Sequence, residues 1–365
     1  MHVVVVGAGI VGLSTAWALS ERGHTVDVVD AGPIPNPLAA SFDHHRMIRH
    51  HYPNQPLYAR RVAEAFAAWD RLWADLGDSH YVETGVLALS RAAGDWTDRG
   101  RDDLLATCAD AEELSPAAVD ARFPQFETDG VRYGLFAPRG GALMSERILN
   151  GLVRLLDLRG VALLPGRPVV RVDTAAGAAV TDAGERIGGD VVVVAAGVGA
   201  AALGFPGAPP LEPRRSTVLY ARPPADLAAA WERGPSWTDL GGEDDLWGIG
   251  PVEGIGVKLG NGAHTRPGDP GRERQATPAD VEAILAAYAG RIRGVERFTV
   301  EAAVTNFWTR APGDRFVLLR EGRGVFVSAC SGHGFKFGAL TGLDVAAAVD
   351  GGDFDATARR LAGVG

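Results

Sequence analysis

The sequence predicts a chain of mixed class, α/β plus α+β, in which a domain on a parallel sheet is interrupted by a domain on an antiparallel sheet. Three observations support this prediction. Residues 3–6 and 191–194 are unbroken runs of valine, a pattern typical of parallel strands that are buried on both faces. Between residues 209 and 300 the pattern changes to short alternating segments separated by turns, which is typical of antiparallel strands.

The first thirty residues predict a βαβ unit that binds a dinucleotide. A turn with the spacing G-x-G-x-x-G follows the first valine run and leads into a helix at residues 13–22 and a second strand at residues 26–29. The N-terminus of such a helix offers free N–H groups and a partial positive charge to phosphates. Asp30 ends the second strand, roughly 20 residues after the turn, where a carboxylate is expected to bind the adenosine ribose. A glycine triplet alone is often only a turn, but the complete unit favours a dinucleotide site.

Each glycine of this turn has its own expected role. Gly7 allows the tight turn, Gly9 lets a pyrophosphate approach the backbone, and Gly12 lets the helix pack closely on the strand. The second valine run is followed by Ala196 and Gly197, small residues that suit a close approach to a bound cofactor. We therefore expect both strands to end at one cofactor.

Composition and charge exclude several classes of protein. Of 365 residues, 46% are hydrophobic and 22% are charged, and the net charge of −9 argues against nucleic acid or an anionic membrane as a partner. The apolar opening is short and has no basic flank, so it does not predict a signal peptide, and no stretch of about 18 apolar residues predicts a membrane span. Two cysteines, Cys108 and Cys330, fit a reducing compartment. We expect a cytoplasmic protein that is a monomer or a weak homo-oligomer.

Between Ser41 and Tyr52 the chain carries four histidines and two arginines. Clustered histidines invite a metal interpretation. Adjacent histidines point in different directions, however, and no cysteine or carboxylate spacing supports them, so we expect no metal site. The two arginines, Arg46 and Arg49, are the more informative residues.

The remaining elements are predicted from periodicity. Residues 55–76 have apolar side chains at helical spacing and end at Gly77, and Thr277 followed by Pro278 predicts the start of another helix. Further helices are predicted at residues 147–159 and 338–349, and strands at residues 81–90, within 161–172, at 216–221, within 246–259 and at 324–329.

Five motifs, in their order along the chain, resemble one enzyme family. Besides the glycine-rich turn they are Arg46-Met47-Ile48-Arg49-His50-x-Tyr52, Thr84-Gly85-Val86-Leu87, Gly256-Val257-Lys258-Leu259-Gly260 and Ser331-Gly332-His333-Gly334-Phe335-Lys336-Phe337. From about residue 3 to about residue 349, the sequence is similar to the monomeric sarcosine oxidase and N-methyltryptophan oxidase family, flavoproteins of the D-amino-acid-oxidase fold. The glycine-rich turn is shared by many enzymes, whereas the last motif is specific.

This resemblance implies FAD as the cofactor, bound by a Rossmann-type domain, with a discontinuous substrate domain built on an antiparallel sheet. The FAD-binding pieces are expected at residues 1–80, 145–208 and 306–365, and the substrate-domain pieces at residues 81–144 and 209–305. In such enzymes an amino acid or amine loses a hydride to flavin N5 and becomes an imine that hydrolyses. O2 then reoxidises the flavin and gives H2O2. A small amino acid and O2 are thus the expected partners.

Four cations carry the chemistry that the resemblance implies. Arg49 and Lys336 match the pair that grips the substrate carboxylate, since a guanidinium forks onto a carboxylate and a lysine adds a point charge. Lys258 matches a lysine near flavin N5 that is associated with oxygen activation, because a fixed cation stabilises the negative charge that develops on oxygen. Arg46 matches an arginine beside the flavin.

The resemblance also implies which residues contact FAD. The start of the last helix, near His333 and Gly334, is expected to lie under the flavin and to stabilise negative charge on its reduced form. The expected cofactor-binding residues are Gly7, Gly9, Ile10, Val11, Gly12, Asp30, Ser41, Arg46, Val169, Ala196, Gly197, Gly332, His333, Gly334, Phe335 and Lys336.

One departure from the family pattern concerns the attachment of FAD. Relatives carry a cysteine that binds FAD covalently, six residues before a proline in the strand leading to the last motif. Here that proline corresponds to Pro312 and the cysteine position holds Asn306. We therefore expect FAD to be bound noncovalently.

Other departures concern the substrate pocket. Trp247 and Trp308 stand where the family has tyrosines, which changes the cavity shape and removes two hydroxyl groups. Gly262 stands where relatives have a histidine, and His264, two residues on, is a candidate substitute. With Tyr52 these residues form the expected pocket. A secondary, cyclic or bulky amino acid is therefore a more plausible substrate than sarcosine.

Three alternatives compete with an oxidase. A dehydrogenase of the same fold would pass electrons to another acceptor, but Lys258 argues against it. A non-catalytic flavin-binding protein would not need both Arg49 and Lys336. An NAD-dependent dehydrogenase would share the opening motif but would leave the glycine-rich loop before the last helix unexplained.

Overall fold

The helices and strands are defined in a computed structural model that describes residues 1–53, 55–232 and 234–364. The helices in chain order are α1 (Ile10–Glu21), α2 (Pro56–Leu76), α3 (Trp96–Thr107), α4 (Pro116–Arg122), α5 (Ser145–Leu158), α6 (Ala225–Trp231), α7 (Pro278–Tyr288), α8 (Gly338–Val349) and α9 (Phe354–Leu361). Short 3-10 helices cover Gly197–Leu203, Val295–Arg297, Pro312–Asp314 and Phe335–Phe337.

The strands belong to four sheets. In chain order they are β1 (His2–Val6), β2 (Thr25–Val29), β3 (Arg46–Ile48), β4 (Tyr81–Glu83), β5 (Val86–Ser90), β6 (Glu112–Leu114), β7 (Tyr133–Ala137), β8 (Gly141–Leu143), β9 (Ala162–Leu164), β10 (Val169–Asp173), β11 (Ala178–Thr181), β12 (Arg186–Gly188), β13 (Val191–Val194), β14 (Glu212–Arg222), β15 (Ser236–Asp239), β16 (Leu246–Ile249), β17 (Val257–Asn261), β18 (Arg266–Pro267), β19 (Thr299–Arg310), β20 (Val317–Glu321) and β21 (Gly324–Ser328).

The first large sheet is the parallel core of a Rossmann-type domain. Its strand order is β20-β21-β13-β1-β2-β9, and all neighbours are parallel except β20 and β21. The two valine runs pair directly, with Val3 opposite Val191. Along β1, Val3 and Val5 pack in the core with helices α1 and α8, whereas Val4 and Val6 pack with the small sheet β10-β11-β12. Both faces of β1 are therefore buried, which explains its unbroken valines.

The second large sheet is mostly antiparallel and joins strands from two separate parts of the chain. Its order is β18-β14-β17-β16-β15-β5-β7-β6, and β19 pairs along β14. The pairing of β5 with β15 is parallel and connects the two parts. A core that includes Trp231, Trp237 and Tyr288 packs against this sheet. The predicted combination of α/β and α+β is thus confirmed, and β19 runs across the domain boundary expected at residues 305 and 306.

The long helices and their ends follow the sequence closely. Helix α2 ends at Gly77, whose φ of +73° is in the left-handed region that favours glycine. Helix α7 begins with a capping box, in which Thr277 and Asp280 each accept a hydrogen bond from the backbone of the other. These two helix predictions, and the strand and helix pair β21 and α8, are confirmed.

One strand prediction needs correction. Residues 81–90 form two strands in different sheets, because the chain turns at Gly85, where φ is +69°. Residues 161–172 likewise contain β9 and the start of β10, which also lie in different sheets. The strands predicted within residues 246–259 are β16 and the start of β17, which pair antiparallel. Alternating apolar residues predicted the strands correctly but did not reveal the turns between them.

Candidate active site

A cavity lies at the carboxyl ends of β1, β2, β13 and β21 and extends to the antiparallel sheet. Ligands of open parallel sheets bind at this end of the strands. Of the expected cofactor-binding residues, those that line the cavity are Gly7, Gly9, Ile10, Val11, Asp30, Ser41, Arg46, Val169, Ala196, Gly197, Gly332, Gly334 and Phe335.

The glycine-rich turn is shaped by close backbone contacts. Gly7 has a φ of +106°, which side chains disfavour, and a Cβ atom on Gly12 would collide with the carbonyl oxygen of Gly7. Gly12 therefore serves helix packing and does not line the cavity. Gly9 does line it. The first turn of α1 is capped by a residue that is remote in sequence, since the N–H of Ile10 donates to Ser41 Oγ at 2.9 Å.

Asp30 braces the turn from the end of β2. Its Oδ2 accepts from the N–H of Ala8 at 2.8 Å, and its Oδ1 accepts from Gly32 N–H at 2.9 Å and Asn36 Nδ2 at 2.8 Å. Asn36 also lines the cavity. The carboxylate is therefore held in place by its own loop while it faces the cavity.

The residues of this cavity fit an FAD. A dinucleotide needs helix N–H groups and cations for its diphosphate, and a backbone that leaves room for it. Gly197 and Gly199 face open cavity, because a Cβ atom on either would meet no protein atom within 4 Å. Arg167 and Arg274 line the cavity together with Arg46. Sequence reasoning missed Arg167 and Arg274, because each stands in a segment without a motif.

A buried charge cluster lies beside the cavity, centred on Asp43. Lys258 Nζ donates to Asp43 Oδ2 at 2.7 Å and to the carbonyl oxygen of His45 at 2.9 Å. The same carboxylate accepts hydrogen bonds from Arg46 and from the Tyr220 hydroxyl. Lys258 and Asp43 side chains are 0% and 2% exposed. Strand register explains part of this arrangement, since Tyr220 on β14 is the direct partner of Lys258 on β17.

The charges of this cluster are set by burial and by one another. Burial lowers the pKa of Lys258 to about 8, although Asp43 acts in the opposite direction. Burial also opposes ionisation of Asp43, but Arg46 and Lys258 outweigh it and lower the pKa of that carboxyl well below its ordinary value. The cluster therefore contains a carboxylate and, below about pH 8, an ammonium.

Asp43 and Tyr220 were missed by sequence reasoning. The available signal for Asp43 was weak: a single acid three residues before Arg46, inside a run of histidines. Its partner Lys258 lies 215 residues away, so that only the fold brings the two together.

A second cluster consists of two basic side chains, Arg49 and Lys336, beside the ring of Tyr52. Arg49 and Lys336 both face the ring of Tyr52, at 4.7 Å for the guanidinium carbon and 5.3 Å for Nζ. Lys336 Nζ donates to the Tyr52 hydroxyl at 3.0 Å and to the carbonyl oxygen of His333 at 3.2 Å. The guanidinium of Arg49 also lies 5.4 Å from the ring of Trp96, which sequence reasoning did not identify.

This second cluster lacks a negative charge. Arg49 Nη1 is buried and has no hydrogen-bond partner among the residues that the structure describes. Within the described parts of the chain, neither Arg49 nor Lys336 has a carboxylate within 4.0 Å. A buried guanidinium with an unused donor, next to a lysine, is suited to an anionic ligand such as a carboxylate. Neither these cations nor Tyr52 line the large cavity, so this site adjoins the cofactor cavity instead of forming part of its wall.

The two expected pocket tryptophans line the cavity. A Cβ atom on Gly260 would collide with the ring of Trp247, and one on Gly332 would lie 3.3 Å from the ring of Trp308. Each indole ring therefore packs directly against a glycine, and this contact fixes the position of the ring. Asn306 on β19 also lines the cavity, as does Cys330.

Two histidines are not in the positions expected of them. The ring of His333 stacks on Phe316 with centroids 4.7 Å apart and bonds Tyr52, so its side chain enters an aromatic core and not the cavity. The ring of His264 forms a hydrogen bond with Asp280 at 2.9 Å. That carboxylate, at the start of α7, also accepts a hydrogen bond from Arg215. The geometry therefore does not support a role for His264 in the substrate pocket.

The histidine-rich segment offers no grouping suited to a metal. Throughout residues 1–53, 55–232 and 234–364, no three histidine, cysteine or acidic residues are grouped so that they could hold an ion. In the same residues, no helix is both long enough and apolar enough to cross a membrane.

Comparisons with known proteins agree with this description. A family described as "DAO: FAD dependent oxidoreductase" matches residues 2–348. The N-methyl-L-tryptophan oxidase of Citrobacter koseri is 27% identical over 348 residues, which cover 93% of this chain and 92% of that protein. The N-methyl-L-tryptophan oxidase of Salmonella arizonae is 26% identical over 356 residues, with the same coverage of 93% and 92%.

Solved structures share the fold. The open form of NikD, described as an unusual amino acid oxidase essential for nikkomycin biosynthesis, has a TM-score of 0.82 at 23% identity and covers 99% of this chain and 96% of its own. The L-proline dehydrogenase from P. horikoshii has a TM-score of 0.81 at 17% identity, with 95% and 92% covered.

Proposed function

Because the chain belongs to the DAO family of FAD-dependent oxidoreductases, we propose that it is an oxidase that uses O2 to oxidise an α-amino acid. The observation that carries this proposal is the position of Arg49 and Lys336 beside the ring of Tyr52, where the described residues place no carboxylate within 4.0 Å of either basic group. Such a pair suits a substrate that brings its own carboxylate, and a simple amine would leave the buried guanidinium of Arg49 without a partner.

The chemistry is divided between the cofactor and the protein. FAD, when bound, accepts a hydride from the carbon next to the substrate nitrogen and passes the electrons to O2. Arg49 and Lys336 bind and orient the carboxylate. Cavity residues such as Gly9, Asp30 and Arg46 would hold FAD through backbone N–H groups, a ribose contact and a positive charge.

Lys258 is the residue that we assign to oxygen. Reduction of O2 creates negative charge, and a fixed ammonium in a site without water stabilises that charge without having to reorganise. Asp43 and the carbonyl oxygen of His45 hold Nζ in one position. This arrangement favours an oxidase over a dehydrogenase that passes electrons to another acceptor.

The substrate is proposed to be an N-substituted, cyclic or bulky amino acid. Trp247 and Trp308 line the cavity and offer large apolar faces in place of hydroxyl groups. The names of the sequence relatives in Citrobacter and Salmonella, N-methyl-L-tryptophan oxidase, are consistent with a bulky N-substituted substrate.

The experiment that tests this function compares each amino acid with its decarboxylated amine by release of H2O2 from the purified protein. We expect secondary or aromatic amino acids to give peroxide and the matching amines to give little. Equal oxidation of amines and acids would contradict the carboxylate site. Turnover with an artificial dye but not with O2 would instead indicate a dehydrogenase.

A further inference from the structure

The chain has two lysines, and both are buried in the site. Lysine and arginine together number 36, of which only Lys258 and Lys336 are lysines. They are 0% and 5% exposed, respectively. Arginine therefore supplies the basic side chains of the protein surface, and an amine is retained at two places where water is scarce. Unlike a guanidinium, a buried amine can lose its proton near neutral pH.

The two amines have opposite surroundings. Lys258 Nζ touches the carboxylate of Asp43 at 2.7 Å, which compensates its charge. Among the described residues, Lys336 Nζ donates hydrogen bonds to two neutral oxygens and to no carboxylate: the Tyr52 hydroxyl at 3.0 Å and the His333 carbonyl at 3.2 Å. Each of those oxygens has a lone pair that can accept a hydrogen bond from a neutral amine, which still has two N–H groups to donate.

The other titratable groups around Lys336 do not supply a negative charge. Tyr58 of α2 is uncharged near neutral pH, since burial raises the pKa of its hydroxyl. Burial lowers the pKa of His333 to about 3, so its ring is also neutral. Asp344, the acid that α8 contributes, is paired with Arg61 of α2 at 2.5 Å.

The nearest charge is another cation. Arg49 shares the Tyr52 ring with Lys336, and the acid that acts on the charge of Arg49, Asp245, forms no ion pair with it within 4.0 Å. Two like charges in a buried site without a counter-ion are costly, and the group that can lose a proton does so. A guanidinium keeps its proton in proteins, so the lysine is the group that becomes neutral. Burial and Arg49 accordingly lower the pKa of Lys336 well below its ordinary value.

We propose that Lys336 is a neutral amine in the ligand-free protein and takes up one proton when a carboxylate binds beside Arg49, whereas Lys258 stays an ammonium. This inference rests on the proposed function in taking the ligand to be a carboxylate. The proton balance is simple: amine and proton become ammonium, which pairs with the carboxylate.

The source of the proton depends on the ligand. A carboxylate without an amine must draw the proton from the buffer. An amino acid carries a proton on its own ammonium, and transfer of that proton to Lys336 leaves the substrate nitrogen neutral. A neutral amine has the lone pair that is needed when the adjacent carbon loses a hydride to form an imine.

Calorimetry of the FAD-loaded protein with benzoate tests the proton uptake. Titrations at pH 7 in phosphate and in Tris, which differ in ionisation enthalpy, give the number of protons taken up. We expect about one proton for the natural protein. Lys336→Arg should bind benzoate with no uptake, because its side chain is already charged, and Lys336→Met should bind roughly tenfold or more weakly. Uptake near zero in the natural protein, or unchanged uptake in Lys336→Arg, would overturn the proposal.

Nuclear magnetic resonance tests the charge states without any ligand. With 13C at the lysine Cε, the protein gives two signals, and Lys336→Arg assigns them. At pH 7 we expect one signal of ammonium type, from Lys258, and one of amine type, from Lys336, which changes to ammonium type when benzoate is added. An ammonium-type Lys336 in the ligand-free protein would overturn this proposal alone. Failure of benzoate to bind would overturn it together with the proposed carboxylate substrate.

Discussion

Asp43 is the counter-charge of Lys258, the residue that we propose acts on oxygen. Its carboxylate accepts hydrogen bonds from Lys258, Arg46 and Tyr220 while it is only 2% exposed. An ammonium buried as completely as that of Lys258 is costly unless a charge and hydrogen bonds compensate it. Breaking such a pair by removing one partner costs roughly 3–5 kcal/mol, because the other charge remains buried.

Replacement of Lys258 by methionine should slow the oxygen half-reaction far more than the reductive one. A single positioned group that stabilises developing negative charge is worth roughly 100-fold or more in rate. Stopped-flow measurement of flavin reduction by substrate without air, and of reoxidation by O2, separates the two. Lys258→Arg is the matched control, since it retains the charge, and it should recover part of the rate. Equal slowing of both half-reactions would remove Lys258 from the oxygen role.

The rate of reoxidation should depend on pH through Lys258. The pKa of its ammonium is lowered by burial to about 8, so the charge is present below that pH and is lost as the pH rises through it. Reoxidation should therefore be fast at pH 6 to 7 and should fall above about pH 8. Because Asp43 raises the pKa of Lys258, Asp43→Asn should move the fall to lower pH. A pH profile that is identical in both proteins would contradict this account.

Replacement of Arg49 by alanine should weaken the binding of a carboxylate ligand by tenfold or more, on the order of 1.4 kcal/mol or above. The guanidinium has a donor without a protein partner, so its loss removes a contact that only a ligand uses. Binding is measured by the change in flavin absorbance on titration. Arg171→Ala, at an exposed position, is the control and should bind as the natural protein does. A loss of FAD together with the carboxylate would mean that Arg49 serves the cofactor.

Residues with a local motif could be assigned from the sequence, and residues whose role depends on a distant partner could not. Lys258 stands in a glycine-flanked strand and Lys336 in the Ser331–Phe337 motif, and both lie in charged clusters beside the cavity. Asp43 and Trp96 have no motif, and their partners are reached only through the fold. His264 shows the converse error, because its nearness in sequence to Gly262 did not predict its bond to Asp280.

At the scale of the elements, the turn between β1 and α1 separates two uses of glycine. A side chain at Gly9 would face Ser41 Oγ at 3.1 Å and the cavity, whereas one at Gly12 would collide with the backbone of Gly7. Gly9→Ala should thus lower FAD affinity and leave the apoprotein stable. Gly12→Ala should destabilise the fold by roughly 1–3 kcal/mol or more through overpacking.

Thermal unfolding of both apoproteins and titration with FAD test this contrast. The two variants are each other's control, since they add the same methyl group three residues apart. The expected roles of the two glycines would be reversed if Gly9→Ala lowered the melting temperature and Gly12→Ala did not.

Elements with a strong period were predictable, and their interruptions were not. The valines of β1 follow from burial of both its faces, and the apolar stripe of α2 follows from one packing surface. Gly85, by contrast, divides one alternating segment into β4 and β5. The chain passes there from the small sheet β3-β8-β4 to the large antiparallel sheet, and alternation gives no sign of that change. Helix α3 was not predicted, although it carries Trp96 to Arg49.

At the scale of the whole molecule, the site exists because the parallel and the antiparallel sheet meet at one cavity, and residues of both line it. Glycine-rich backbone from the parallel sheet forms one wall of the cavity, and β14, β16 and β19 of the antiparallel sheet contribute to the other. Each sheet gathers segments that are far apart in sequence. Strand patterns in the sequence predicted both sheets. Which residues meet where the two sheets pack together depends on tertiary structure, so Arg167 and Arg274 were missed.

FAD should be released intact when the whole protein is denatured. Asn306, at the position where the family carries a cysteine, cannot form a thioether, although it lines the cavity. After acid precipitation the yellow colour should remain in the supernatant. Cys330→Ala is the informative control, because Cys330 is a thiol that lines the cavity. Colour retained in the pellet of the natural protein but not of this variant would identify a covalent bond to Cys330.

Because both lysines are buried, their chemical labelling measures how often the site becomes transiently exposed to solvent. Reagents that acylate amines, such as N-hydroxysuccinimide esters, meet no lysine at the surface, since both lysines are at most 5% exposed. Acylation of Lys258 or Lys336 therefore requires a fluctuation that admits the reagent, and a peptide map after cleavage at arginine counts such events separately at each position. We expect FAD to slow labelling at both. Benzoate should protect Lys336 more than Lys258, because only the former amine becomes charged and paired when that ligand binds.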